Sequence, residues 1–300
     1  MSNILVVGSV ALDSVKTPFG ERKEVLGGSA TFFSVAASHF APVALVAVVG
    51  EDFPKKHIEL LKNKKIDLAG LEVAKGETFR WSGEYSFDFN NRTTIFTHLN
   101  VFADFKPKVP QSYQNKDILF LANIDPQLQL DVLRQVNKPK LIACDTMNLW
   151  IEVKPKILKD LLKHVDIFFL NEPEARQLTG KSNLVKAAED ILKMGPSRVI
   201  IKKGEHGALM FSRNSVFCVP AFLLETVVDP TGAGDTFAGG MIGYLAKCGK
   251  VNETNLRRAI VYGSVMATFA VEAFSLGKLA KVTKADINAR LTQFERFTCF

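Results

Sequence analysis

The chain has 300 residues, 47% of them hydrophobic and 23% charged, with a formal net charge of +7. That size and apolar content suit one large α/β domain with a small appendage, and no run of about eighteen apolar residues is present to span a membrane. Cys144, Cys218, Cys248 and Cys299 form no C-x-x-C pair, which speaks against a zinc site or a disulfide framework, and the lysines are dispersed, the densest run being Lys62-Asn63-Lys64-Lys65, so the charge suits small polyanionic substrates and not nucleic acid.

The N-terminus enters a strand at 4–7 with no basic region or cleavage site before it, so a cytoplasmic protein is expected. Gly8 ends that run and Asp13 follows the turn 8–12. Ligands of parallel sheets gather at the carboxyl ends of the strands, so Asp13 is either a substrate-binding carboxylate or a plain turn residue. Gly27-Gly28-Ser29-Ala30 opens an apolar helix to about residue 40; 43–49 reads as a buried strand and 54–65 as a helix. From 71 to 101 the pattern becomes alternation, with Phe79, Trp81, Gly83, Tyr85, Phe87 and Phe89 on one parity and charged or hydroxylated residues on the other. Period two across 79–89 predicts a strand with one aromatic and one polar face. Asn90-Asn91 would turn it into a return strand at 93–97. A small sheet interrupting an α/β chain is read as a lid, the alternative being a hairpin packed on the core.

Core strands are expected at 117–121 and 140–144 and helices at 126–136 and 155–164, which places Asn123 and Asp145 just past the two strands, at one rim. A strand at 167–170 runs into Asn171-Glu172-Pro173-Glu174, where Asn171 can cap a helix and Glu174 can complete a capping box. After a helix at 184–194, a strand at 199–201 enters Lys202-Lys203-Gly204-Glu205-His206-Gly207, in which either lysine can face a phosphate or solvent. A hairpin at 208–211 and 216–219 and helices at 255–270 and 283–296 complete the chain.

The most specific stretch is Asp229-Pro230-Thr231-Gly232-Ala233-Gly234-Asp235-Thr236-Phe237-Ala238-Gly239-Gly240, a glycine turn opening a helix over about 233–247. Amides of Gly232, Ala233 and Gly234 left open at a helix start form a site for an anion, phosphate above all. A side chain at the glycines would hold such a group away. Asp235 in the first turn is either a cap or a group that acts on what the turn holds. No Lys-Ser/Thr follows the second glycine, which excludes a Walker A loop. The position near the C-terminus disfavours the fingerprint of a nucleotide-binding dehydrogenase, which belongs after the first strand of a βαβ unit.

The full string resembles the C-terminal signature of the ribokinase-like (PfkB) family of carbohydrate and nucleoside kinases. With Asp13, the glycine pair, the alternating segment, Asn171-x-x-Glu174 and the 202–207 turn in that order, the resemblance covers nearly the whole chain. It implies a three-layer α/β/α fold with a mainly parallel central sheet: one catalytic domain over 1–300, with a β-lid inserted from about 12–26 and 71–105. It implies that Gly232, Ala233 and Gly234 form the anion hole and that Asp235 is the general base. Asp13, Gly27 and Gly28 would bind the acceptor, with Asn123 at the same rim. Lys203, Gly204, Gly207, Thr231 and Ser264 would flank the nucleotide, and Asn171 and Glu174 would steer Mg²⁺, mostly through water. ATP and Mg²⁺ are thus the implied cofactors. One departure stands out. Phe32 occupies the position, four past Gly28, where many members carry Asn, so the pocket is expected to be more aromatic.

The activity expected is ATP-dependent transfer of the γ-phosphate to a hydroxymethyl group of a sugar. The alternative is a nucleoside kinase of the same fold, supported by Phe32 and the aromatic lid face. A non-catalytic nucleotide- or sugar-binding regulator is a third reading, opposed by the intact Asp235, Asn171 and Glu174. Lid sheets of this family often mediate dimers, so a homodimer through the lid is expected.

Overall fold

The apolar run at the N-terminus forms β1 (Ile4–Val7), whose side chains alternate between two cores: Ile4 and Val6 on one face, Leu5 and Val7 on the other. A continuous apolar run specifies a strand covered on both faces. The computed structural model, which describes residues 2–89 and 92–299, places β1 inside a nine-stranded sheet. Along the chain, β2 (Ala11–Thr17) and β3 (Gly20–Gly27) leave that sheet, then α1 (Ser29–Ala37), β4 (Val43–Gly50), α2 (Lys55–Asn63) and β5 (Ile66–Ala74) return to it. β6 (Arg80–Tyr85) and β7 (Arg92–His98) join β2 and β3. The second half runs β8 (Ile118–Leu121), α3 (Pro126–Leu133), β9 (Leu141–Asp145), α4 (Asn148–Val153), α5 (Pro155–Leu162), β10 (Ile167–Asn171), α6 (Glu172–Thr179), α7 (Leu184–Met194) and β11 (Arg198–Lys202). The hairpin β12 (Ala208–Phe211) and β13 (Val216–Val219) and the helices α8 (Ala233–Cys248), α9 (Glu253–Val271) and α10 (Lys284–Thr298) follow.

The sheet order is β13-β12-β11-β10-β9-β8-β1-β4-β5, parallel from β11 to β5 with β12 and β13 antiparallel at one edge. Helices α1, α2, α8, α9 and α10 share a core with one face, and α3 to α7 with the other. Among the described residues no helix is long and apolar enough to cross a membrane. The contact that positions the site is α1 against α8. Every residue of α1 is buried, a Cβ at Gly239 would overlap the Phe33 carbonyl, and one at Gly243 would come 2.9 Å from Ala37 Cα. Glycines let the two backbones touch, and this fixes where α8 begins.

The second sheet has the order β3-β2-β6-β7. Its strands lie within 11–27 and 80–98, so the insertion expected from residue 71 begins later: Leu71 to Ala74 belong to β5 and pair with β4. Alternation reports a half-covered strand but not which sheet it joins. The aromatic strand also stops sooner than expected. β6 ends at Tyr85, and Phe87 beyond it is 88% exposed. The turn expected at Asn90-Asn91 lies outside the described residues. Helix α4 had no counterpart in the sequence pattern, being only six residues long.

Candidate active site

Asn123, Asp145, Asn171 and Lys202 stand at or just past the carboxyl ends of β8, β9, β10 and β11, and Asp13 enters from β2 a few residues past β1. Asp13 is therefore a buried strand residue, where the sequence suggested a turn. Its carboxylate accepts from the Gly28 amide, and a Cβ at Gly27 would overlap it. Gly28 itself has φ 95° and caps α1. Burial raises the Asp13 carboxyl to about 7; the Gly28 amide and Arg92 pull it down and Asp229 pushes it up.

The glycine turn is anchored from below. Buried Asp229 accepts from Thr231 N at 2.9 Å and from Ser275 N at 3.3 Å. Gly232 is left-handed at φ 75°, and a Cβ there would overlap the Phe32 ring. Phe32 is thus the floor under the turn and not a wall of the acceptor pocket, a correction that follows from the complete burial of α1. A second correction concerns Ala233, whose amide is spent on Pro230 O at 3.2 Å. Among the described residues the amides of Gly232 and Gly234 have no acceptor, so the open donors are two and not three.

Asp235 keeps partial solvent contact, and the one described hydrogen bond to its carboxylate comes from its own amide. Burial raises it to about 8; Asp145 and Asp13 add to the rise and Lys202 opposes it. The neighbouring cation is Lys202. Lys202 Nζ lies 2.6 Å from Asp145 Oδ2, whereas Lys203 turns toward Glu172 at 4.0 Å. Burial would lower the Lys202 ammonium, but Asp145, Glu174 and Asp235 outweigh it and hold it above its ordinary value. Burial still raises Asp145. Three carboxylates act on one ammonium, so the lysine's upward displacement is the better explained, and the pair is charged.

Asn171 and Glu174 form the capping box of α6, with Glu174 N donating to Asn171 Oδ1 at 2.8 Å and Asn171 N to Glu174 Oε2 at 2.7 Å. Glu174 is buried and its carboxyl rises to about 7, through burial first and Asp145 second, against Lys202. Asn123 Oδ1 accepts from Trp150 Nε1 at 3.0 Å. Gly204 (φ 55°) and Gly207 (φ 88°) close the turn after β11 through Lys203 N to Gly207 O, 2.8 Å. Ser264 is buried one residue past Gly263, which packs on Phe237.

The lid reaches the turn directly: Thr231 Oγ1 donates to Tyr85 Oη at 3.2 Å. In register, Asp13 pairs with Trp81 and Tyr85 with Arg92, which puts these four side chains on one face of the lid. Arg92 lies over the Trp81 ring at 5.2 Å. Tyr85, Trp81 and Arg92 were absent from the sequence-based site, while Asp145 was read only as lying at the rim and Lys202 as one of two lysines that can face a phosphate. Strand alternation marked the first two as one face, but what that face meets is a tertiary fact.

The donor set suits Mg²⁺. Among the described residues no three His, Cys, Asp or Glu side chains converge as direct ligands, and Mg²⁺ prefers to keep waters and phosphate oxygens. Asp145, Glu174 and Asp235, each raised first by burial, all act on the Lys202 ammonium. A groove of about 550 Å³, lined by Ser197, Arg198, Arg213 and Glu253, lies at the opposite, amino end of β11 and shares no residue with this site.

A mainly parallel sheet between two helical layers, with a small sheet over the carboxyl edge and a glycine turn beneath it, defines the ribokinase fold class. Residues 1–281 match the pfkB family carbohydrate kinase domain, and the chain belongs to that family of alcohol phosphotransferases. The chain is 31% identical over 248 residues to a cytidine kinase of Thermococcus kodakarensis, covering 81% of this chain and 88% of that one. The nucleoside kinase of Methanocaldococcus jannaschii superposes with a TM-score of 0.80 at 23% identity over 98% of this chain and 99% of that chain. An E. coli protein assigned as ribokinase II, solved in complex with ATP and Mg²⁺, gives 0.80 at 19% identity over 98% and 100%.

Proposed function

We propose that the protein transfers the γ-phosphate of ATP to the hydroxymethyl group of a nucleoside ribose. The observation that carries this reading is the pairing of Asp13 with Trp81 on the lid face above the glycine turn. A carboxylate beside an aromatic ring suits a ribose with a flat base attached, the ring offering a stacking surface. The relatives named as cytidine and nucleoside kinases support the same acceptor class.

Phosphoryl transfer asks little covalent work of a protein; it needs an in-line hydroxyl, a proton acceptor and fixed positive groups at the transferred oxygens. Asp13 holds the ribose hydroxyls and directs the hydroxymethyl oxygen toward Asp235, which takes its proton. The amides of Gly232 and Gly234 donate to the phosphoryl oxygens. Mg²⁺, held by Asn171 and Glu174 largely through water, would neutralise the ATP phosphates. The lid, latched by Tyr85 to Thr231, excludes water from the reacting oxygen.

A free sugar or sugar phosphate is the second reading, favoured by Arg92, whose charge acts on Asp13 and could meet an acceptor phosphate. The test is a panel of cytidine, adenosine, inosine, ribose, fructose and fructose phosphates with ATP–Mg²⁺, scored by ADP release. Turnover on nucleosides is expected, turnover confined to sugars would replace the acceptor, and none on any would remove the reading.

A further inference from the structure

The sequence offered two lysines after β11, and the fold separates them. Lys202 is 17% exposed, its Nζ 2.6 Å from Oδ2 of Asp145, which is 3% exposed. The lysine stem runs along the glycine turn: a Cβ at Gly234 would lie 3.1 Å from Nζ and 3.6 Å from both Cδ and Cε. Asp145 is itself held, its Oδ1 accepting from Thr146 N at 2.9 Å and its carbonyl from Gln129 Nε2 at 3.2 Å. In register, Lys202 stands opposite Asn171 at the strand ends.

A buried ion pair adds little stability by itself, because the desolvation of two charges offsets their attraction. A pair serving the core alone would also have no reason to press its ammonium against a turn whose Gly232 and Gly234 amides are open. We propose that Lys202 is a catalytic residue that donates to the transferred phosphoryl group, with Asp145 as its positioning residue, and that Lys203 has no such part. The inference rests on the kinase reading above. In the step, the acceptor hydroxyl oxygen forms a bond to the γ-phosphorus while the bond from that phosphorus to the β,γ-bridging oxygen breaks. ADP leaves with the bonding pair and the hydroxyl proton passes to Asp235. Lys202 keeps its proton throughout and supplies hydrogen bonds where negative charge accumulates.

The test uses full-length Lys202→Met, Lys203→Met, Asp145→Asn and the double variant Asp145→Asn/Lys202→Met. Each is measured for kcat and KM on the acceptor that the wild-type chain turns over, for Mg²⁺–ATP affinity by calorimetry, and for Tm. Loss of one preorganised donor to the reacting group costs about 10²–10³-fold in kcat, so Lys202→Met should fall by that much with KM changed only a few-fold. Asp145→Asn should lose about tenfold in kcat, and Lys203→Met, whose side chain turns toward Glu172 at 4.0 Å, should keep kcat within threefold even where Mg²⁺–ATP affinity falls.

The double variant separates the roles. Lys202→Met alone strands a buried carboxylate and should lower Tm. Removing both charges should restore Tm while kcat stays about 10²-fold down. Recovery of activity together with Tm, or a kcat within threefold of wild type for Lys202→Met, would overturn the proposal. Failure of the kinase reading shows separately, as a wild-type chain whose ADP release is raised by none of the acceptors in the panel.

Discussion

Asp235 carries the sharpest expectations at the scale of single residues. Positioned base catalysis contributes about 10²–10⁴-fold, so Asp235→Asn should lose at least about 10²-fold in kcat while calorimetry still detects Mg²⁺–ATP binding; near-normal turnover would remove Asp235 as the base. The carboxyl rises to about 8 in the field of Asp13, Asp145 and Lys202, and a base works deprotonated, so kcat/KM should climb with pH through that value. The stability consequence has a definite sign. A carboxyl whose folded value lies above its unfolded one costs nothing below about 3.8, and stability is lost as pH rises toward about 8. Asp235→Asn should therefore raise Tm over the wild type at pH 8 and hardly at all near pH 4. Partial solvent contact limits the gain to about 1–2 kcal/mol, or a few degrees in a chain of this size.

At the scale of elements, the lid latch and the α1–α8 contact are separable. Tyr85→Phe removes one neutral hydrogen bond between β6 and the glycine turn, a loss of about 0.5–1.5 kcal/mol. Acceptor KM should rise about two- to tenfold while Tm hardly moves; an unchanged KM would mean that the latch does not bear on closure. Gly239→Ala should instead destabilise the fold by about 1–3 kcal/mol in urea unfolding, because a Cβ there would overlap the Phe33 carbonyl. Activity per folded molecule should drop with it, since α8 carries the turn. Most elements were legible from local pattern: the strand at Ile4–Val7 and the helix at Leu184–Met194 fall where periodicity put them. The join of 71–74 to the main sheet was not legible, nor was α4, because neither depends on a local pattern.

At the scale of the whole molecule, the lid segments show solvent Phe19, Phe87 and Ile95, and we propose a homodimer through the lid. Light scattering should give twice the chain mass, and Phe87→Ser/Ile95→Lys should give monomers; a wild-type monomer at assay concentration would end that expectation. By itself the sequence carried a resemblance to the ribokinase-like family, through Asp13, the glycine pair, Asn171-x-x-Glu174 and the glycine turn with Asp235 in that order, and that resemblance implied the fold class, because such strings are recognisable from short spacings along the chain. Only the tertiary structure decided that Lys202 and not Lys203 faces the turn, that Phe32 lies under it, that the Ala233 amide is taken and that Tyr85 reaches Thr231. Each of these depends on which side of an element a side chain leaves and on what a distant segment places there, and neither is written in the residues beside it.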